Sequence, residues 1–138
     1  MKRILLLLLL CSTTLLMAQQ TDPIQEAMAS YDYETALSLI AQKKPATPLL
    51  LQKGKALRSL GLNAEALSTY QEIIGKDSTN TRALIEAAEC CRTLAKYKQA
   101  SAYYEKVLDL TPENKYVRIQ YINCLLYTSP SPRDRQKS

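Results

Sequence analysis

From residue 47 to residue 123 the apolar positions fall at helical rather than strand spacing. Ala66, Leu67, Tyr70, Ile73 and Ile74 recur at i, i+1, i+4, i+7 and i+8, which puts one apolar stripe on a helix and leaves Glu65, Gln71 and Glu72 off it. Ahead of this stripe, Leu49, Leu50, Ala56, Leu57 and Leu60 form another, ended by Gly61. Thr47 is expected to cap that helix, with Pro48 at the first position, where a missing N–H costs nothing. The scheme then repeats. Leu84, Ala87, Ala88, Cys91, Leu94 and Ala95 make a first face, and Ala100, Tyr104, Val107 and Leu108 a second, with Pro112 closing the unit.

The register between the two copies is constant. Residues 66–74 are echoed by residues 100–108 at an offset of 34, and the same offset takes Gly54 to Ala88, Tyr70 to Tyr104 and Asn80 to Asn114. Two units follow, 47–80 and 81–114. Gly54 with Ala66, and Ala88 with Ala100, are predicted to let paired antiparallel helices approach closely, while Tyr70 and Tyr104 fill space toward the next unit. Upstream, residues 33–40 read as the second helix of a degenerate unit, 19–46, with residues 23–30 as its first. The offset here is only 30, so residues 42–46 must be a shortened connection. Downstream, Tyr116, Val117, Ile119, Tyr121 and Ile122 open a helix in residues 115–123 that begins a further, truncated repeat. An all-α stack of antiparallel helix pairs is the predicted architecture.

A 34-residue period of two helices with small residues at fixed places resembles the tetratricopeptide repeat, whose pattern runs W-x2-L-G-x2-Y, then A-x3-F, then P. By that resemblance Tyr70 and Tyr104 stand for the family's Phe, and Leu50 and Leu84 for its Trp. Lys53 stands where the family has Leu, Leu57 and Cys91 replace its Tyr, and Ser78 replaces the closing Pro. The resemblance implies a right-handed solenoid whose first helices line a concave groove that holds a protein or peptide. Carried onto this chain, the groove positions are Leu51, Gln52, Lys55, Arg58 and Ser59 in one unit, Arg82, Ile85, Glu86, Glu89, Arg92 and Thr93 in the next, and Tyr116, Ile119 and Asn123 beyond. Leu51/Lys55 and Ile85/Glu89 do not match the Lys and Asn pair with which some family members clamp a terminal carboxylate. Lys55, Arg58, Arg82 and Arg92 instead offer a mildly basic groove for an acidic segment.

Charge and chemistry narrow the choice. The formal charge of +5 comes mostly from the two ends, because residues 19–123 hold 13 Lys and Arg against 12 Asp and Glu. A near-neutral repeat region lacks the basic stripe of a nucleic-acid binder, so no nucleic-acid partner is expected. The chain has no His, no Gly-rich phosphate loop and no G-x-S-x-G, and no catalytic residue, cofactor or metal is assigned. Cys90 and Cys91 are neighbours about 100° apart on a helix, poorly placed to bridge each other, and are read as small buried hydrophobes.

The ends carry their own signals. Lys2-Arg3, an apolar run from Ile4 to Leu10, and Leu16-Met17-Ala18 before Gln19 read as a signal peptide, residues 1–18, cleaved near Ala18. That implies export, to the periplasm or the outer membrane of a Gram-negative bacterium. Lipidation at Cys11 would add membrane association, although Leu9 and Leu10 stand where lipoproteins have small residues. From Cys124 on, Pro130 and Pro132 in a Ser-rich context cannot continue a repeat, and a disordered tail over 124–138 is expected. Residues 124–134 resemble the read-through translation of a transposase adapter used in sequencing libraries, which implies a non-native tail on a piece of a longer protein. The expected function is an exported scaffold that binds protein partners. The alternative is the sensory front of a transmembrane signalling protein.

Overall fold

The computed structural model describes residues 2–4 and 21–129, so the expected signal peptide lies outside the described residues apart from 2–4, as does the tail from residue 130. From residue 21 the described chain forms seven helices and no strand: α1 (Pro23–Ala29), α2 (Tyr33–Ala41), α3 (Thr47–Ser59), α4 (Asn63–Lys76), α5 (Thr81–Thr93), α6 (Tyr97–Leu110) and α7 (Lys115–Thr128). Each packs on the helix before it and the helix after it. The units of 47–80 and 81–114 are therefore the pairs α3/α4 and α5/α6, and α1/α2 is the degenerate pair. No helix among the described residues is long and apolar enough to cross a membrane.

The turns within the three pairs share one construction. Tyr31 (φ 62°), Gly61 (φ 77°) and Ala95 (φ 56°) take the left-handed conformation at corresponding places. In each, the next residue's N–H reaches back to a carbonyl five residues earlier: Asp32 to Ala27, Leu62 to Leu57 and Lys96 to Cys91, at 2.9, 2.9 and 2.8 Å. That bond satisfies a carbonyl the helix end leaves open and turns the chain back on itself. Glycine takes this conformation freely, whereas Tyr31 and Ala95 hold it at some cost. The Asn80 and Asn114 pair is equally local in origin. Each caps the following helix, accepting from Ala83 N–H at 3.0 Å and Val117 N–H at 3.1 Å.

Several expectations are corrected. Thr47 is not a cap: Ala46 takes that position without a side-chain bond, and Thr47 is the first helical residue. Leu60 and Ala95 are exposed rather than part of the apolar faces, because both lie in the turns just described. The last helix does not stop at residue 123; α7 runs to Thr128 and Cys124 is buried against the core. An apolar Cys-Leu-Leu run directly after a helix has no signal to end it, and the first proline comes only at residue 130.

A continuous core runs from Leu50 on α3 to Cys124 on α7, with Tyr70, Ile73, Leu84, Tyr104, Val107 and Val117 inside it. The predicted close approach is real, with a different partner: a Cβ on Gly54 would lie 2.4 Å from the ring of Tyr70, four residues beyond Ala66 on α4. Tyr70 thus lies directly on the α3 backbone, and its hydroxyl is held by burial well above the ordinary tyrosine range. Ile24 and Ala27 on α1 and Ala36 and Ile40 on α2 are also buried, outside this core.

Beyond α5 the stack is tied by a buried carboxylate. Glu89 accepts from the Tyr104 hydroxyl of α6 at 2.5 Å and from the Tyr116 hydroxyl of α7 at 2.7 Å on one oxygen, and from the Arg92 guanidinium at 2.8 and 3.2 Å on the other. Burial pushes its carboxyl up, but these bonds outweigh it and hold the group below the usual glutamate value.

Two outcomes follow. Gly54→Ala gains about 1 kcal/mol in helix propensity but drives a Cβ into a ring that is 1% exposed, and overpacking of that kind costs about 1–3 kcal/mol. Net destabilisation is expected in urea unfolding, and the penalty should shrink in a Tyr70→Leu background, where no ring occupies the site. For Glu89→Gln, an amide must face either the guanidinium or two hydroxyl donors, at a cost of about 1–3 kcal/mol. Because the folded pKa of Glu89 is depressed, its stabilisation is present above the ordinary glutamate pKa and is lost as pH falls through the folded value. Unfolding measured across that acid window should therefore be less pH-dependent in Glu89→Gln than in the parent.

Candidate peptide-binding groove

The first helices of successive pairs, α1, α3 and α5, present one continuous face. Helical spacing accounts for it. Leu51, Gln52, Lys55, Arg58 and Ser59 sit one turn apart on α3, opposite the stripe that buries Leu50, Gly54 and Leu57. Two adjoining depressions run along it. One, of about 380 Å³, lies between Gln25 and Met28 of α1, Leu51, Gln52 and Lys55 of α3, and Arg82 of α5. The other, of about 590 Å³, is lined by Lys55, Arg58, Ser59, Arg82, Glu86 and Thr93, with Asn63 at its edge. Lys55 and Arg82 belong to both, so they stand where the two meet.

The groove positions expected from the sequence are distributed between the core and this face. Leu51, Gln52, Lys55, Arg58, Arg82 and Glu86 all line it. Others from the same pattern serve the fold instead. Ile85 packs half-buried against the core, as Leu51 does from the groove wall. Glu89 is buried in the network with Tyr104, Tyr116 and Arg92, so it is not a ligand-facing carboxylate, and Arg92 and Tyr116 reach toward it although both are exposed. Asn123 is exposed on α7, away from both depressions. Gln25 and Met28 were missed, because the degenerate first unit carries no clear register from which to project its groove positions.

Electrostatics separate four cations that looked alike. Arg58 is ion-paired across the groove with Glu86, both groups about a third exposed, and Arg92 is paired with Glu89. Lys55 and Arg82 have no acidic partner among the described residues, and both are exposed. Beside them the Oε1 atom of Gln52 is buried without a hydrogen-bond donor. Buried acceptors are ordinarily satisfied, so this oxygen marks a place where a donor is wanting. The face thus offers two positive charges that have no acidic partner among the described residues, beside the apolar surfaces of Met28 and Leu51. Such a set is complementary in charge and surface to an extended chain bearing carboxylates.

Cys90 and Cys91 take no part in it. Both thiols are free and fully buried, and burial pushes each up to about 11, which keeps them protonated and poorly reactive at neutral pH.

Comparison with known proteins agrees with this construction. The tetratricopeptide-repeat family model matches residues 81–114, the α5/α6 unit. Among solved structures, the first tetratricopeptide-repeat domain of human RPAP3 superposes with a TM-score of 0.66 at 20% identity, covering 75% of this chain and 85% of that one. The first such domain of Spaghetti (RPAP3), bound to the HSP90 peptide SRMEEVD, gives 0.68 at 20% identity over 75% and 85%. PcrH in complex with the chaperone-binding region of PopB gives 0.60 at 18% identity over 75% of this chain and 87% of that chain. Residues 81–114 thus match the tetratricopeptide-repeat model, and the helices before and after them share the fold of the solved tetratricopeptide-repeat domains.

Proposed function

We propose that this chain is a non-catalytic scaffold that holds an extended, acidic segment of a partner protein along the face of α1, α3 and α5. The observation that carries the reading is that Lys55 and Arg82, at the junction of the two depressions, have no acidic partner among the described residues, while Arg58 and Arg92 are paired with Glu86 and Glu89. Two charges without internal partners, held by neighbouring helices, suit a carboxylate-bearing backbone that crosses from α3 to α5. Met28 with Leu51 adds an apolar seat. Two solved structures of the same fold support a peptide occupant, one with the HSP90 peptide SRMEEVD and one with a segment of PopB.

Export belongs to the same proposal. The basic start, the leucine run and the small residue before Gln19 would deliver the scaffold out of the cytoplasm, with protein partners at the periplasmic face or the outer membrane. The natural protein would extend the array beyond α7, whose outer face leaves Tyr116, Ile119 and Ile122 about half exposed.

Binding is tested with fluorescein-labelled acidic, neutral and basic decapeptides by anisotropy. Acidic peptides should bind best, with affinity falling as salt rises. Lys55→Ala and Arg82→Ala should each weaken them by about five-fold, or roughly 1 kcal/mol, and Lys115→Ala, outside the groove, should not. Equal affinity for the three peptide classes would overturn the reading. Export is tested by expressing the chain in a Gram-negative host: cleavage close to Ala18 with recovery in the periplasmic fraction is expected, and an uncleaved cytoplasmic product would count against it.

A further inference from the structure

The seam between the first and second pairs is built differently from the other two. Counting by the offsets of 30 and 34, Ile40 of α2 corresponds to Tyr70 and Tyr104, Lys43 to Ile73 and Val107, and Lys53 of α3 to Ala87. Tyr70, Tyr104, Ile73, Val107 and Ala87 are all buried, at 1% exposure or less. At the first seam one large ring has become Ile, and two buried apolar side chains have become exposed lysines. The helix is short as well: α2 has 9 residues, against 14 in α4 and α6, so its last turn is missing.

The consequence is a cavity of about 450 Å³ between α2 and α3, on a different flank of α3 from the groove. Leu37, Ile40, Leu49 and Leu57 line it, and Lys43 and Lys53 stand at its edge. That size lies within the range of about 300–1,000 Å³ typical of small-molecule sites. Lys53 has no acidic partner among the described residues. Lys43 meets only Asp22, at 3.5 Å, with both groups close to half exposed, and such a contact contributes little. An apolar interior with cations at the edge is complementary to an amphiphile that carries its negative charge at one end.

We infer that this cavity binds an aliphatic carboxylate, with its chain among Leu37, Ile40, Leu49 and Leu57 and its carboxylate between Lys43 and Lys53. A neutral chain of the same length would gain the apolar contacts without the charge pairing. A short carboxylate would gain the charge pairing alone. Neither should match the amphiphile, and the site is independent of the peptide groove.

The probe is decanoate, titrated calorimetrically into the chain, with decanol and acetate as controls. Saturable 1:1 binding of decanoate is expected, with decanol weaker and acetate undetectable. Lys53→Leu refills the seam, so it should raise the thermal midpoint while lowering decanoate affinity about ten-fold; Ile40→Phe fills the cavity from α2 and should lower affinity in the same way. Lys43→Gln combined with Lys53→Gln should abolish the preference for decanoate over decanol. Loss of binding in a variant at least as stable as the parent separates occupancy of the cavity from folding. The inference is overturned by absence of saturable binding, by unchanged affinity in both cavity-filling variants, or by binding only to phosphatidylglycerol vesicles without binding free decanoate.

Discussion

The contact between the Tyr70 ring and the bare backbone of Gly54 sets the geometry on which the rest depends. A helix pair can close to that distance only where one helix gives up a side chain and the other supplies a flat ring to fill the space. With the pair fixed, the left-handed residue at Gly61 and the returning bond from Leu62 to Leu57 determine how α4 leaves α3. Repeating the pair then places α1, α3 and α5 side by side as a consequence of stacking, without any residue devoted to making a groove.

On that face the distribution of charge partners matters more than net charge. The repeat region is almost neutral, yet its acids are not spread evenly among its bases. Glu86 and Glu89 lie close enough to Arg58 and Arg92 to neutralise them, and Glu89 is further engaged by two tyrosine hydroxyls. Lys55 and Arg82 are left to whatever approaches from solvent. In the proposed binding mode an anionic chain would gain most where no internal carboxylate must first be displaced, which is at these two cations.

Much of this was legible in the sequence, for reasons particular residues make plain. The 34-residue offset carried the pairs and their small residues and matched Asn80 with Asn114, because each depends on contacts within a few residues or between adjacent helices; that both asparagines cap helices emerged only from the structure. Leu51, Gln52, Lys55, Arg58, Arg82 and Glu86 were placed on one face by the resemblance to the tetratricopeptide repeat, and they line the two depressions. What spacing cannot show is which of several equivalent positions finds a partner across a gap. Glu89 shares a helix face with Glu86, but the tyrosines that bury it lie 15 and 27 residues away in sequence. The cap at Thr47 failed for a local reason: the helix starts one residue earlier than the threonine would require. The reach of α7 past residue 123 was obscured because the composition changes there while the apolar run does not.

The first seam shows why such a stack tolerates variation. In a linear array each unit contacts only its neighbours, so loss of filling residues at Ile40, Lys43 and Lys53 opens space locally and leaves the core from Leu50 to Cys124 intact. The same loss in a globular core would create a cavity that every surrounding element must accommodate. Lys43 and Lys53 border the opened space and are exposed, and a lysine so placed can lay its stem over apolar surface with its ammonium in water, which limits the penalty of a missing apolar side chain. A seam can therefore change from packing contact to cavity without altering the register of the helices on either side. Since α3 carries the groove on one flank and the opened seam on another, one helix can present two chemically distinct surfaces, one shaped by unpaired charge and the other by missing volume.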